Sequence, residues 1–263
     1  MKTGFDDKLA TSTFSRVLVF GDTHSPYNHP DTIPFLRAVR DLVQPDLVVN
    51  LGDELDYHAM SFHDTDPDLD GAGVELLKGR AFLHNLEKVF PEMYIVHSNH
   101  GSMKYRKAVK HGFPKHLIMS YSDTIFGERA NENEPIYRPN DRGKGWVWKD
   151  KVIFKTNTGQ DVLCVHGQLQ NAIANIQRNQ MCYIQGHYHS SFEVRYTSTP
   201  YNLLWGMTCG CLIDDESLAF EYNKLQAVRP IIGCGAVING QPKLIPMVLK
   251  KGGRWTGEID AII

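Results

Sequence analysis

Residues 16–24 read Arg-Val-Leu-Val-Phe-Gly-Asp-Thr-His, a short apolar run that delivers Asp22 and His24. The same order recurs downstream: Gly52-Asp53, Asn99-His100, His166-Gly167 and Gly186-His187-Tyr188-His189 each follow a short apolar run. Runs of this length read as buried strands, and in an open α/β sheet ligands collect outside the carboxyl ends of strands. One site is implied. Its seven or eight oxygen and imidazole donors exceed what one substrate needs for hydrogen bonding, and they suit hard-to-borderline divalent metals, two being the natural count.

Between these points the chain alternates strand and helix. Asp31 can cap a helix through about Val43, with Ile33, Leu36, Val39 or Arg40, and Val43 on one side, and Pro45 stops it. Asp46 to Leu51 reads as a second strand, Val74 to Phe90 as a helix with Val74, Leu77, Ala81, Leu86 and Val89 near one face, and Met93 to His97 as a third strand. This alternation favours right-handed parallel crossovers. The second half reads mostly as β: Lys151–Lys155 and Asp161–Val165 around Asn157-Thr158-Gly159, then Cys182–Gln185, Phe192–Thr197, Leu203–Met207, Leu218–Tyr222, Ile231–Val237 and Leu244–Leu249, with Asn239-Gly240 as a hairpin turn. Residues 122–149 are rich in Asn, Glu, Pro, Gly and Arg, which reads as an inserted loop or lid.

A chain of 263 residues, 42% hydrophobic, can bury one sizeable core, so a single domain over 1–263 is expected. A net charge of −2 gives no global attraction to nucleic acid or anionic membranes, so any such affinity must be local. The first fifteen residues lack an apolar signal region and no segment reaches membrane-spanning length, which points to a cytoplasmic protein. Five cysteines, an odd number, argue against a secreted disulfide framework. Cys164 and Cys182 fall inside apolar runs, and Cys209-Gly210-Cys211 has no second pair nearby, so core packing is expected of them.

The motifs Asp22-x-His24, Gly52-Asp53-x-x-Asp56, Asn99-His100, His166 and Gly186-His187-x-His189 stand in the order of the calcineurin-like metallophosphoesterase superfamily, which the chain resembles over residues 16–189. The resemblance implies a four-layer α-β-β-α sandwich with two mixed sheets and a two-metal site. It assigns Asp22, His24 and His189 to one metal, Asn99, His166 and His187 to the other, and the Asp53 carboxylate to a bridge. Two cations about 3.5–4 Å apart lower the pKa of the water between them, giving a bridging hydroxide nucleophile at neutral pH. The resemblance makes His100 the group that protonates or stabilises the leaving oxygen and Asp56 the carboxylate that orients it. An O/N donor set without thiolate makes Mn²⁺ the expected ion, with Zn²⁺, Fe and Ni²⁺ as alternatives.

Departures from the family pattern narrow the reading. Tyr57-His58 stands where protein phosphatases carry Arg-Gly, which argues against a Ser/Thr protein phosphatase, and Gly101 stands where Asp or Glu usually follows Asn-His. Together with residues 98–103, 145–148 and 210–215, these features resemble uncharacterised phosphoesterases of tailed bacteriophages; for a phage-encoded chain the compartment would be the host cytoplasm.

The segment after His100 offers the substrate clue. Lys104, Arg106, Lys107, Lys110 and Lys115, with His111 and His116, fall in thirteen residues without an acid. On a helix, Lys104 and Lys107, with Lys110, share a face with His111, so a phosphate-bearing ligand would meet concentrated positive charge; a solvated helix face is the alternative. Tyr105, Phe113, Tyr121, Trp146 and Trp148 could stack bases, although core packing is the commoner fate of such residues. His58 and His63 could line the substrate entrance, and His63 could equally pair with Asp64 at the surface. Asp64, Asp66, Asp68, Asp70 and Gly71 imitate the start of a calcium loop, but Leu77 occupies the twelfth position counted from Asp66, where a bidentate Glu is needed.

The reading is therefore a dinuclear-metal-dependent phosphoesterase, favoured as a phosphodiesterase or nuclease on DNA, RNA or a nucleotide. The alternatives are a phosphomonoesterase on a nucleotide or terminal phosphate, and a catalytically idle metal-containing binding module.

Overall fold

The computed structural model describes residues 6–62, 66–128, 143–198, 200–217, 219 and 228–259. His63, Asp64, residues 129–142 of the expected lid and all of the expected Leu218–Tyr222 strand except Ala219 lie outside the described residues. In chain order the strands are β1 (Thr13–Phe14), β2 (Arg16–Phe20), β3 (Leu47–Asn50), β4 (Met93–Val96), β5 (Trp146–Lys149), β6 (Val152–Thr156), β7 (Asp161–Val165), β8 (Cys182–Gln185), β9 (Phe192–Ser198), β10 (Leu203–Cys209), β11 (Gly233–Ile238) and β12 (Gln241–Pro246). The helices are α1 (Asp6–Thr11), α2 (Thr32–Val43), α3 (Ala72–Val89), α4 (Met103–Lys110), α5 (Tyr121–Phe126) and α6 (Ala172–Asn179).

Two mixed six-stranded sheets result. One has the order β12-β11-β2-β3-β4-β5, parallel from β2 to β5; the other has the order β1-β6-β7-β8-β10-β9. Period-two burial explains how they stack. Val17 and Val19 of β2 point into a shared interior with Phe154, Cys164, Ile184 and Trp205 of the other sheet. Leu18 and Phe20, the alternate residues, pack instead beneath α2 and α3 against Leu36, Val39, Leu83 and Leu86. On the far side, Leu163 and Tyr183 meet Ile176 of α6. The layers are thus α-β-β-α, and the strands are apolar on both faces because both faces are covered. Asn239 and Gly240 turn β11 into β12 with φ values of 48° and 78°, the left-handed pair that a two-residue hairpin requires. All five cysteines are free and buried. No described helix is long and apolar enough to cross a membrane.

Several local expectations are corrected. In α3, Val74 and Leu77 are 48% and 58% exposed and Ala81 is also exposed, while Glu75, Gly79, Arg80, Leu83, Leu86 and Val89 are buried. Polar bonding sets that face: the Glu75 carboxylate accepts the N–H groups of His58 and Ala59 at 2.7 and 2.9 Å, and Arg80 donates to the Gly127 carbonyl. The last strand begins at Gln241 rather than Leu244, since the tight Asn-Gly turn starts pairing at once. Residues 121–126 and 146–149, at the two ends of the expected lid, are a helix and a strand paired with β4.

Asp31 stands at the N-cap of α2 but its side chain caps nothing. It accepts instead from Trp255 N–H at 2.9 Å and from two nitrogens of Arg254, fastening the tail to the start of α2. These bonds hold the Asp31 carboxyl at about 2, below its ordinary 3.8. A depressed folded pKa contributes stability above the unfolded value that is lost as pH falls through the folded one. Asp31→Asn should therefore lower unfolding stability by about 1–3 kcal/mol near neutrality. The gap between wild type and variant in urea melts should close between pH 3.8 and 2; a gap of constant size at all pH would contradict the assignment.

Candidate metal centre

The carboxyl ends of β2, β3 and β4 in one sheet face those of β7 and β8 in the other. Main-chain pairing continues past the strands: Asp22 N–H donates to Gly52 O, His24 N–H to Asp53 O, and Gly186 N–H to His166 O, at 2.8–2.9 Å. The polar loops are therefore held almost as rigidly as the sheets. Backbone strain concentrates here. Asp22, His24, Asp53 and His187, with φ of 52°, 46°, 53° and 68°, all adopt the left-handed region that non-glycine residues avoid. Gly52 (φ 98°) and Gly186 are needed for close approach, since an added Cβ would meet Ser98 Cβ at 2.6 Å and Asp22 Oδ2 at 2.2 Å respectively.

Besides the group made by His24, Asp56 and His100, two clusters of donor atoms form. In the first, His189 Nε2 lies 3.2 Å from His24 Nε2 and 3.3 Å from Asp22 Oδ1. In the second, His166 Nε2 lies 3.1 Å from His187 Nδ1 and 3.0 Å from Asp53 Oδ2. The same Asp53 Oδ2 is 3.6 Å from His24 Nε2, so one carboxylate oxygen serves both clusters. Asp22, His24 and His189, and likewise Asp53, His166 and His187, each present ligand atoms within 4.8 Å of one another. Asn99, next to these groups in the turn after β4, has a buried Oδ1 with no hydrogen-bond partner among the described residues. An orphaned carbonyl oxygen and two pairs of convergent imidazole nitrogens are the donor set that divalent ions of borderline hardness satisfy.

Outer contacts fix which nitrogen faces inward. His166 Nδ1 donates to the Leu51 carbonyl at 2.9 Å, so Nε2 is the nitrogen turned toward the cluster, and it is the proton on Nε2 that an entering cation would replace. His24 Nδ1 is 2.7 Å from Asp56 Oδ1, which likewise turns His24 Nε2 inward. The Asp56 carboxylate thus orients His24 first. It lies 3.7 Å from His100 Nδ1, and that nitrogen donates instead to the Asp56 main-chain carbonyl. His100 N–H donates to Asp53 Oδ1 at 3.0 Å, and Asp53 N–H to Ser98 Oγ at 2.9 Å.

Charge follows from this packing. Burial raises the Asp53 carboxyl, but His166, His100 and His24 outweigh it and hold the group well below its ordinary range. Burial likewise lowers His166, yet Asp53 and Asp22 push it up to about 9. His24 is lowered, by burial and then by His100.

The expected substrate residues separate. The Lys104 ammonium donates to Met119 O at 2.7 Å and to Thr124 Oγ1, so it ties α4 to α5 and is not placed for phosphate; burial drops it to about 8. His58 Nε2 accepts Asp66 N–H at 3.0 Å and its Nδ1 faces Asp56 Oδ2 at 3.9 Å, which makes it a brace under the site. Arg106 donates to the Asn99 carbonyl at 2.8 Å and Lys107 to Ser61 O at 2.7 Å, beside the ligands. Trp146 is buried in the core, and Trp148 and Tyr121, partly buried against it, donate to Glu54 at 3.2 and 3.1 Å; Tyr105 and Phe113 are exposed. Sequence reasoning missed Ser98, whose hydroxyl also accepts Gly101 N–H at 3.1 Å, and Glu54, a buried carboxyl pushed up to about 7 by burial and by Asp53. Nothing in a serine or in a variable position of a motif signals such supporting roles. The imitation calcium loop is absorbed otherwise: Asp66 accepts Asp68 N–H, Asp70 pairs with Lys78, and Gly71 begins α3.

The sequence model of the family described as calcineurin-like phosphoesterase matches residues 15–228. No curated protein matches significantly. Among solved structures, vacuolar protein sorting 29 from Cryptosporidium parvum is similar at 14% identity, with 95% of this chain and 97% of that chain covered and a TM-score of 0.45. Vps29 from Chaetomium thermophilum is similar at 11% identity, 95% and 97% coverage and a TM-score of 0.47. The phosphoesterase Yfce from E. coli is similar at 12% identity, 88% and 92% coverage and a TM-score of 0.43.

A metal entering the second cluster must displace the proton that His166 holds when its pKa is about 9. Mn²⁺ affinity should therefore rise with pH from 6 to about 9, with proton release at pH 7 visible as a dependence of calorimetric heat on buffer ionisation enthalpy. Heat independent of buffer would contradict a protonated His166 in the metal-free site.

Proposed function

Because the chain belongs to the calcineurin-like phosphoesterase family, we propose that it is a dinuclear metal-dependent phosphoesterase acting on phosphodiesters of nucleic acid or nucleotides. The observation that carries the proposal is Asp53 Oδ2, which stands 3.0 Å from His166 Nε2 and 3.6 Å from His24 Nε2 and so belongs to both donor clusters. Asp22, His24 and His189 would hold one ion, Asn99, His166 and His187 the other, and Asp53 both; Mn²⁺ suits these ligands. Bound ions would supply Lewis acidity toward the phosphoryl oxygens and lower the pKa of a water. A bacteriophage origin and action in a host cytoplasm are compatible with this reading, as is a single domain over the whole chain.

The protein's own residues supply the rest. His100 stacks edge-on to His24 with ring centroids 4.6 Å apart, which places it beside the first cluster without joining its nitrogens. With Nδ1 donating to the Asp56 carbonyl, its other nitrogen, Nε2, is the one left for substrate. In the imidazolium form, Nε2–H can donate to the leaving oxygen as the ester bond breaks, and Asp56 acts as the positioning residue for both His100 and His24. Main-chain bonds from Asp53 and His100 into the Ser98–Asp53 network keep this donor fixed relative to the metal ligands.

His100→Asn should leave two ions bound and lower kcat roughly 10²–10⁴-fold, with smaller losses on diesters of good leaving groups. Loss of an ion on that substitution would make His100 a ligand. Turnover of a chromogenic diester should exceed that of the matching monoester, and the reverse preference would move the function to a phosphomonoesterase.

A further inference from the structure

Two segments leave the site side by side: the chain after Asp56 runs through the 3₁₀ turn His58–Met60 to Phe62, and the chain after His100 becomes α4. Phe62 is 45% exposed. Around its ring stand the Arg106 guanidinium and the Lys107 ammonium, each 5.1 Å from the centroid, and the Lys110 ammonium at 5.6 Å. Among the described residues no carboxylate pairs with any of the three. Like charges gathered this closely repel, and one ring quadrupole offsets little of that repulsion at an exposed site. Arg106 and Lys107 are partly accounted for by the Asn99 and Ser61 carbonyls they bind, but the Lys110 ammonium makes no hydrogen bond among the described residues. Among the described residues the cluster is therefore an uncompensated positive patch, joined through Arg106 to the residue that carries the orphaned Asn99 Oδ1.

We propose that Phe62, Arg106, Lys107 and Lys110 form a subsite for the phosphodiester backbone of single-stranded nucleic acid, gripping phosphates next to the one under attack. The inference rests on the phosphoesterase reading and gives it a substrate class. A flexible strand fits better than a duplex, because the shared carboxylate and its two imidazole neighbours lie at the floor of the site, Asp53, His24 and His166 being 1%, 3% and 7% exposed, while His187 is exposed at its edge. A scissile phosphate must bend inward to reach them while its neighbours stay at the rim. Phe62 spaces the cations, and its edge is left to meet the sugar.

The test is the salt dependence of binding of a fluorescent phosphorothioate oligodeoxythymidylate to the Mn²⁺-loaded protein, with hydrolysis of bis(4-nitrophenyl) phosphate measured on the same preparations. Lys110→Gln, which breaks no hydrogen bond, should make the log–log slope shallower by about 0.7, and Lys107→Gln with Lys110→Gln by about 1.4. The variants should lose more kcat/KM on an unmodified oligodeoxythymidylate than on the small diester. Unchanged slopes, equal losses on both substrates, or tighter binding of a duplex would overturn the subsite. Altered slopes in a protein that hydrolyses no small diester would leave the subsite standing and remove the phosphodiesterase reading instead.

Discussion

A buried carboxylate caught between two imidazoles governs this molecule. Asp53 is 1% exposed, and removing its charge from water costs several kcal/mol unless opposite charge or a cation compensates it. His166, His24 and His100 supply part of that compensation and in doing so constrain one another. Each imidazole must keep a defined orientation, which the Leu51 carbonyl, the Asp56 carboxylate and the Asp56 carbonyl impose from behind. The site is thus a set of mutually dependent charges that requires positive charge to be kept at the shared oxygen.

The fold meets this requirement through its sheets. Parallel strands end in register, so β2, β3 and β4 bring Asp22, Asp53 and Asn99 to one rim, and β7 with β8 bring His166, His187 and His189 opposite. Pairing that continues beyond the strands lets Asp22, His24, Asp53 and His187 persist at positive φ, conformations that cost about 1–3 kcal/mol each when nothing holds them. Layered apolar cores on both sides of each sheet provide the stability against which that strain is set.

Much of this was legible in the sequence because apolar period and strand length depend on local pattern. The apolar run Cys182–Gln185 matches its strand to the residue, and the donors at five strand ends are legible because each sits at or just past the close of its apolar run. What failed depended on partners distant in sequence. The α3 face turned on Glu75 reaching His58 and Ala59, and the fate of Lys104 turned on carbonyls at the start of α5. Asp31 had the right type and place for a cap, yet an arginine more than two hundred residues away took its side chain. Ser98 and Glu54 are ordinary residues whose importance lies wholly in what they touch.

The bridging role of Asp53 is the central claim, and electron paramagnetic resonance of the Mn²⁺-loaded protein tests it most directly. At two ions per chain the account requires the spectrum of an exchange-coupled pair, which Asp53→Asn should collapse to isolated ions or to weak binding. An uncoupled signal from the saturated wild-type protein, or an undiminished coupled signal from the variant, would contradict a carboxylate shared between two metals.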